Sequence, residues 1–424
     1  MTFKMPLTLL TGLAITSATA FAQQIKVADV TQTINVLASD EMKGRAVYSP
    51  EIDKAADFIA SEFKKAGPQP LAGNSYLQSF VMVSATQQSI SARSAGKEID
   101  PKNIVVLTSK PEFNYSPDDV QVETIKAGDN LFSKAFELAG SSKSLLIQVD
   151  ESFSDRFSRL VFLKRNFFKT DADIVFVLGN TDPQKLTIKA THSIKENKLA
   201  NVVGILPGKK LKGEYVIFSG HYDHIGIGKP ENGDSIYNGA NDDASGITAI
   251  IELARHYKAQ NNNERSLIFA AFTAEEVGGF GSQYFSKQMS PEKVIAMFNI
   301  EMIGTDSKWG KNSAYITGYE KTDMGDILQK NLEGSAFTFH PDPYPDQQLF
   351  YRSDNATLAR LGVPAHTIST SKMDSEPNYH KASDEVKTLD LVNMTEIIKS
   401  IAISAQTIVS GKDTPTRVDT RDLK

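Results

Sequence analysis

Five short motifs in the second half of the chain carry acidic or histidine side chains. They begin at His221, Asn241, Glu275, Asn299 and Tyr379, and they read H-Y-D-H, N-D-D-A-S-G, E-E, N-I-E-M-I-G and Y-H. Because the sequence contains no cysteine, any metal must bind to histidine nitrogen or carboxylate oxygen. The same absence excludes disulfides, iron–sulfur clusters and a thiolate nucleophile.

The first two motifs offer a histidine and a pair of aspartates. His221 follows the apolar stretch 215–218 and can bind a metal through one ring nitrogen, while Asp223 accepts the other ring N–H. Asp242 and Asp243 precede a predicted helix. One of these carboxylates can bridge two cations, although the pair can also cap the helix.

Three further acids and a second histidine complete the candidate set. Glu275 and Glu276 follow the apolar stretch 267–272, and neighbouring carboxylates repel each other unless a cation or proton lies between them. One can bind a metal while the other acts as a general base, or both can stand at a solvated helix start. Glu301 interrupts an apolar strand and needs a metal or access to solvent. His380 lies in a loop before the last helix.

Together the motifs supply two histidines and three carboxylates, with Glu275 to spare. Nitrogen and oxygen donors in this ratio suit two zinc ions that share one carboxylate. Two metal ions about 3.5–4 Å apart can share a water molecule, lower its pKa and hold the carbonyl that it attacks. The predicted chemistry is therefore metal-assisted hydrolysis.

The elements that position these residues follow from the alternation of strands and helices after residue 200. Strands are predicted at 215–218, 267–272 and 294–300, and helices at 247–257 and 389–409. This alternation is typical of an α/β sheet between helices, in which ligands bind at the carboxyl ends of the strands.

The chain before residue 200 has a different texture. Residues 24–67 are predicted to be largely helical, and Gly67 ends this part. Between about 74 and 195, short apolar stretches are separated by polar turns. They predict strands at 104–107, 145–149 and 174–178. We expect no chemistry here, because paired carboxylates and histidines are few.

The two ends of the sequence carry different signals. Residues 1–22 resemble a secretory signal peptide, with Lys4, a short apolar stretch and the ending Ala20-Phe21-Ala22. We therefore expect a secreted or periplasmic protein that has no stable membrane anchor after signal removal. Residues 411–424 are polar and are predicted to form a loose tail.

Charge limits the class of partner. The chain has 46 Lys and Arg residues and 51 Asp and Glu residues, for a net charge of −5. This balance argues against nucleic-acid binding, which usually needs a basic excess. The sequence leaves the oligomeric state open.

The ordered set of motifs resembles one family, the secreted di-zinc aminopeptidases of metallopeptidase family 28, which also contains the glutamate carboxypeptidases. The resemblance covers about 195–410 and extends to the segment 39–45. It implies a three-layer α/β/α zinc-peptidase domain with a mixed, largely parallel sheet and a smaller β-rich, protease-associated-like insert. The implied ranges are 23–94 and 193–412 for the peptidase domain, 95–192 for the insert and 413–424 for a polar tail.

The resemblance implies two zinc ions per chain and five ligands. These ligands are His221, Asp242, Glu276, Glu301 and His380. Asp242 would bridge both ions, Glu276 and His380 would complete one metal site, and Glu301 would complete the other. Many family members have aspartate where this chain has Glu301, but the longer side chain still reaches a metal.

Other residues receive roles from the same resemblance. Glu275 would be the general base that takes a proton from the bridging water, and Asp223 would orient His221. Asp243 would support the bridge, and Tyr379 would lie near the substrate carbonyl. His224, His256 and His366 receive no role and are predicted to be surface or packing residues.

The leading hypothesis is an aminopeptidase that acts on peptide substrates, with acids near the metals binding the α-amino group. A carboxypeptidase or dipeptidase would need a basic partner for the substrate carboxylate, and Arg352 is a candidate. Glutaminyl cyclase chemistry needs one zinc ion, so the complete two-metal set argues against it. Non-catalytic relatives lack ligands or the base, whereas this chain has all of them.

Overall fold

The computed structural model describes residues 25–423 of the 424-residue chain. The predicted signal peptide at 1–22 lies outside these residues. The α-helices are α1 Val27–Leu37, α2 Pro50–Ala66, α3 Leu131–Ala139, α4 Ser154–Phe157, α5 Ser245–Gln260, α6 Phe280–Gln288, α7 Met324–Asn331, α8 Asn355–Ala359, α9 Leu391–Ser404 and α10 Gln406–Val409. None of the helices in the described part is both long and apolar enough to cross a membrane.

Within residues 25–423, eighteen strands accompany these helices. They are β1 Gln69–Pro70, β2 Leu77–Ser94, β3 Lys97–Glu98, β4 Ile104–Leu107, β5 Glu112–Asn114, β6 Gln121–Ile125, β7 Leu145–Val149, β8 Phe167–Phe168, β9 Ile174–Leu178, β10 Leu186–Leu206, β11 Leu211–His221, β12 Gly226–Glu231, β13 Asp234–Tyr237, β14 Arg265–Phe272, β15 Val294–Ile300, β16 Ser313–Ile316, β17 Thr338–Pro341 and β18 Ala365–Ser369. The strands predicted in the second half of the chain are all present.

A mixed sheet of twelve strands forms the centre of the molecule, in the order β17-β16-β18-β15-β11-β14-β10-β2-β3 with three short strands at its side. The stretch from β18 through β15 and β11 to β14 is parallel. Strand β10 pairs antiparallel with both β14 and β2. The mixed sheet is confirmed, and its parallel centre is the part that carries the motifs.

Helices cover both faces of the parallel centre. Val216 and Phe218 of β11 face one core, which includes residues of α1, α2, α5 and α9. Ile217 points the other way, into a core with Phe285 of α6 and Leu358 of α8. Strands buried on both faces read as continuous apolar runs, which explains why they stood out in the sequence. The three-layer α/β/α architecture is therefore confirmed.

A second, four-stranded sheet lies in the first half of the chain, in the order β4-β9-β7-β6. It has its own apolar core, to which α3 and the helical segment 151–164 contribute. The three strands predicted here are confirmed, but the unit contains more helix than its β-rich texture suggested. Strand β10 continues across residue 192, the predicted end of the insert, with a bulge at that point. The bounds 95–192 of the insert and its protease-associated-like assignment remain predictions.

The predicted helical part 24–67 is interrupted. Lys43 and Gly44 have positive φ angles of 42° and 67° in the 3₁₀ turn Asp40–Arg45. A Cβ atom on Gly44 would lie 2.2 Å from the carbonyl oxygen of Tyr237, so only glycine fits this close approach. Helix α2 then starts with a proline and ends at Gly67, whose left-handed φ of 103° terminates it as predicted.

The prediction of a loose tail is wrong. Val418 is buried at 5% exposure, and its N–H donates to the carbonyl of Gly362 over 3.1 Å. Arg417 donates to the carbonyl of Val294 over 2.8 Å. The tail is polar in composition, yet it is docked by these contacts and by hydrogen bonds from Arg265 to the carbonyl of Asp413 and the hydroxyl of Thr414.

Arg45 joins the first part of the chain to the loops of the sheet. Its side chain is fully buried and donates only to backbone carbonyls. The acceptors are those of Leu37, Tyr222, Asn238 and Gly239. Tyr222 lies in the loop after β11, and the last two lie in the loop before α5.

Replacing Arg45 with methionine should lower the free energy of unfolding by about 3–5 kcal/mol, because four buried carbonyls lose their donor. Urea denaturation at fixed metal concentration measures this loss. The matched control is Arg165→Met, at an exposed position, which should stay within about 0.5 kcal/mol of the wild type. Equal stability of the two variants would show that Arg45 does not hold these loops together.

Candidate metal centre

The predicted ligands converge at the carboxyl edge of the parallel strands. His221 is the last residue of β11, Glu275 and Glu276 follow β14, and Glu301 follows β15. Strand β11 lies between β14 and β15, so the three strand ends are adjacent. Asp242 reaches the same place from the turn before α5, as expected for ligands at this edge of an open sheet.

The first cluster consists of His221, Asp242 and Glu301, with one potential ligand atom of each within 4.8 Å of the others. His221 Nε2 lies 3.2 Å from Asp242 Oδ1, yet neither Nε2 nor the buried Oε2 of Glu301 has a hydrogen-bond partner. Buried polar atoms without partners are unfavourable. A cation bound between these nitrogen and oxygen donors would satisfy both.

The second cluster consists of His224, Asp242 and Glu276. His224 Nδ1 lies 2.8 Å from Glu276 Oε1. His380 approaches from the other side, with Nε2 3.2 Å from Glu276 Oε2 and 3.3 Å from Asp242 Oδ2. The structure therefore brings all five predicted ligands together, and Asp242 is the residue that the two clusters share.

His224 is the site residue that the sequence analysis missed. Its ring is buried at 1% exposure, and its Nε2 has no hydrogen-bond partner. Gly239 makes room for it, because a Cβ atom there would lie 2.6 Å from the ring. The signal was available in the sequence, since His224 follows His221 by three residues in the same strand-end loop. His366, in contrast, bonds Thr322 and Thr317 away from the clusters.

Asp243 acts through the backbone. Its carboxylate accepts hydrogen bonds from the N–H groups of Gly246, Met302 and His221, over 2.9, 3.1 and 3.2 Å. These groups belong to three different segments, so Asp243 fixes their relative positions. This geometry fits the supporting role that the resemblance implied.

Asp223 differs from the prediction in how it orients His221. The ring Nδ1 lies 3.1 Å from the backbone carbonyl oxygen of Asp223 and 3.9 Å from its carboxylate. The carboxylate instead accepts the N–H groups of Glu275 and Glu276, over 3.0 and 3.2 Å. Asp223 therefore positions the turn that carries both glutamates, and its carbonyl holds the imidazole.

Asp384 supports the bridge in a way that the sequence analysis did not identify. This buried carboxylate accepts the N–H groups of Asn241 and Asp242 over 2.8 and 3.0 Å. Burial raises the pKa of Asp384 to about 6. Because Asp384 follows His380 by four residues, these hydrogen bonds connect the loop that carries His380 to the turn that carries Asp242.

Burial shapes the titration of the other acids. Desolvation raises the pKa of Glu301 and of Asp354 to about 7 and about 6 respectively, and it raises the pKa of Glu275 well above the ordinary value. Burial opposes ionisation of Asp242 too, but the adjacent imidazoles of His221 and His380 hold its pKa below the ordinary value. Divalent cations bound among these carboxylates would neutralise their negative charge.

A cleft of about 520 Å³ opens over the clusters. Tyr379 lines it and stacks on His380 with ring centroids 3.9 Å apart. Arg352 stands at the exposed rim, with Nη1 3.3 Å from Gln347 Oε1. One wall is apolar and consists of Met302, Tyr315, Leu349 and Met373. Both substrate-binding residues predicted from the sequence therefore line the cleft.

The comparison with protein families identifies this region. Residues 201–404 match the model of peptidase family M28. The match covers 204 of the 424 residues. All five predicted ligands lie within it, and so does Glu275.

Curated relatives match part of the chain. A probable leucine aminopeptidase of Trichophyton verrucosum is 30% identical over 208 residues, which is 47% of this chain and 54% of that protein. Aminopeptidase YwaD of Bacillus subtilis is 31% identical over 117 residues, which is 27% of this chain and 23% of that protein. The chain thus spans about half the length of the first of these relatives, and less of the second.

Solved structures match more of the chain at lower identity. An aminopeptidase from Aneurinibacillus sp. strain AM-1 covers 92% of this chain and 95% of its own, with a TM-score of 0.55 and 19% identity. A zinc aminopeptidase from Bacillus subtilis covers 94% of this chain and 99% of its own, with a TM-score of 0.53 and 16% identity. These likenesses support the same α/β fold.

His224→Ala should lower the affinity for Zn²⁺ by roughly 10–100-fold, because Glu276 loses the group that orients it. His224→Asn should retain most of the affinity, since its amide can replace Nδ1. Competition with a chromophoric chelator measures the affinity. His340→Ala, which removes a ring stacked on Trp309, is the control. An unchanged zinc affinity in His224→Ala would show that the contact has no such role.

Proposed function

We propose that this chain is an aminopeptidase that binds two Zn²⁺ ions and removes N-terminal residues from peptides. The observation that carries the proposal is the pair of clusters sharing Asp242, with the separate acid Glu275 at the same cleft. The M28 match and the aminopeptidase relatives support it. His221 and Glu301 would bind one ion, and Glu276 and His380 the other.

Bound zinc would lower the pKa of a water molecule and polarise the scissile carbonyl. Glu275 belongs to neither cluster, so its carboxylate remains available for proton transfer. It would take a proton from the attacking water and return it to the leaving amine. The backbone N–H of Glu275 donates a hydrogen bond to the Asp223 carboxylate. This bond keeps the backbone of Glu275 in place while its side chain transfers the proton. Tyr379 lines the cleft beside His380 and would donate a hydrogen bond to the substrate carbonyl.

The charges of the cleft favour an aminopeptidase. Its lining contains three carboxylates and one arginine, Arg352, which stands at the rim. A free α-amino group is a cation that carboxylates bind, whereas a C-terminal carboxylate needs a basic partner. Arg352 is that partner in the alternative hypothesis of a carboxypeptidase or dipeptidase. The apolar wall fits substrates whose first residue is apolar, and the leucine aminopeptidase relatives agree with this preference.

We also propose that the protein is secreted or periplasmic and that its four-stranded unit is a protease-associated-like insert. The pattern of residues 1–22 supports the first part. The place of the unit, between β2 and β10 in the chain, supports the second.

Purified protein loaded with zinc should cleave leucine p-nitroanilide and leave acetyl-leucine p-nitroanilide intact, because acetylation removes the charge that the acids bind. A chelator should abolish the activity, and added zinc should restore it. Release of a C-terminal residue from acetylated peptides would instead support the carboxypeptidase. No cleavage of any of these substrates by the zinc-loaded protein would favour a binding protein.

Glu275→Gln should lower kcat by about 10²–10⁴, because the amide cannot accept the proton. Zinc content, measured by elemental analysis, should equal that of the wild type, since Glu275 belongs to neither cluster. Glu333→Gln, at an exposed position, is the control and should keep full activity. A Glu275→Gln variant with wild-type kcat would refute the assignment of the base.

A further inference from the structure

A second cavity shares no lining residue with the cleft over the metal centre. It lies between α6 and the end of α3 and has a volume of about 160 Å³. Its walls come from Phe136, residues 139–142, Leu163, residues 166–168, Thr170, Phe280, Gln283 and Lys287. Small-molecule sites are concave and mostly apolar, and an apolar cavity of about 150 Å³ can hold a molecule the size of benzene.

Four phenylalanines line the cavity. Phe167 and Phe280 are buried at 8% and 5% exposure, and Phe168 packs edge-on against Phe280 with ring centroids 5.5 Å apart. Phe136 closes the outer side and is itself 43% exposed. If this exposed ring covered an apolar ligand at the cavity mouth, apolar surface of both would be removed from water, which is favourable.

The only charged group in this lining is Lys287. Its Nζ lies 4.7 Å from the centroid of the Phe168 ring, and it forms no ion pair with any acid in the described part of the chain. Burial against the wall lowers the pKa of Lys287. Lys287 is exposed on α6, and an ammonium that has no acid paired with it can form a charge-assisted contact with an anion.

Asn166 adds a second donor at the same cavity. Its side-chain oxygen accepts a hydrogen bond from the hydroxyl of Tyr48 over 2.9 Å, so its NH₂ group remains available to a ligand. One ammonium and one amide suit a carboxylate, which has two acceptor oxygens. Ser141, Ser142, Thr170 and Gln283 add further polar side chains to the lining.

We propose that this cavity binds a small carboxylic acid with an apolar body. The carboxylate would lie on Lys287 with support from Asn166, and the apolar body would lie against Phe136, Phe168 and Phe280. The inference does not depend on the proposed peptidase activity, because it concerns a different cavity and is tested by binding.

Octanoate is a suitable probe, and 1-octanol is its uncharged counterpart. Isothermal titration calorimetry of the full chain should show one octanoate bound per molecule and roughly 10-fold weaker binding of octanol, since a charge-assisted contact contributes about 1.5–3 kcal/mol. Lys287→Met keeps the apolar stem and should reduce octanoate affinity to that of octanol. Lys64→Met, at an exposed position of α2, should bind both probes as the wild type does.

Three results would overturn the proposal. They are no octanoate binding below its micelle concentration, equal affinity for octanoate and octanol, and unchanged octanoate affinity in Lys287→Met. Lys287 is on the surface of α6, so this variant should fold, and unchanged circular dichroism checks that it does. Octanoate binding that is lost when zinc is removed with a chelator would place the ligand at the metal centre instead, and so would also contradict the proposal.

Discussion

The crowding of acids around Asp242 is the constraint on which the rest of the molecule depends. Asp223, Asp242, Asp243, Asp354 and Asp384 are each no more than 2% exposed, and Glu275, Glu276 and Glu301 lie at the same strand ends. Buried charges are strongly unfavourable unless they are paired and hydrogen-bonded. Arg45 supplies one buried positive charge, but its donors are directed to backbone carbonyls. Metal ions would supply the counter-charge that the protein itself does not.

The acids divide into two groups by what they bind. Asp223, Asp243 and Asp384 each accept two or three backbone N–H groups, and in this way they join the loops after β11, β14 and β15 to the turn before α5. The acids of the two clusters accept no backbone N–H group among the described residues, and their oxygens face histidines instead. The supporting acids therefore set the geometry, and the others are left to bind cations. This division explains why adjacent pairs such as Asp242 and Asp243 occur, with one member for each task.

The sequence predicted the central strands well, because a strand buried on both faces must be apolar throughout. The candidate ligands named from the sequence converge in the structure, since strand ends that share an edge bring their acids together, and their role as ligands stays a prediction. It could not predict contacts between residues far apart in the chain. His224 and Asp384 became recognisable only when the loops around Glu276 and Asp242 were in place. The docked tail was missed for the same reason, since nothing local indicates that Val418 is buried.

The turn after β14 connects the two cavities of the protein. Its first residues, Glu275 and Glu276, are held by Asp223. Its other end is held where the N–H groups of Phe280 and Gly281 donate to the carbonyls of Ala274 and Thr273, over 3.1 and 2.9 Å. A Cβ atom on Gly281 would lie 2.3 Å from the Thr273 carbonyl, so this closure needs glycine. Phe280, which lines the second cavity, is thus fixed to the backbone that positions Glu275, and the backbone of this turn is held at both ends. The side chain of Glu275 is partly exposed to the cleft. It is therefore the part of the turn that is left free to carry the transferred proton.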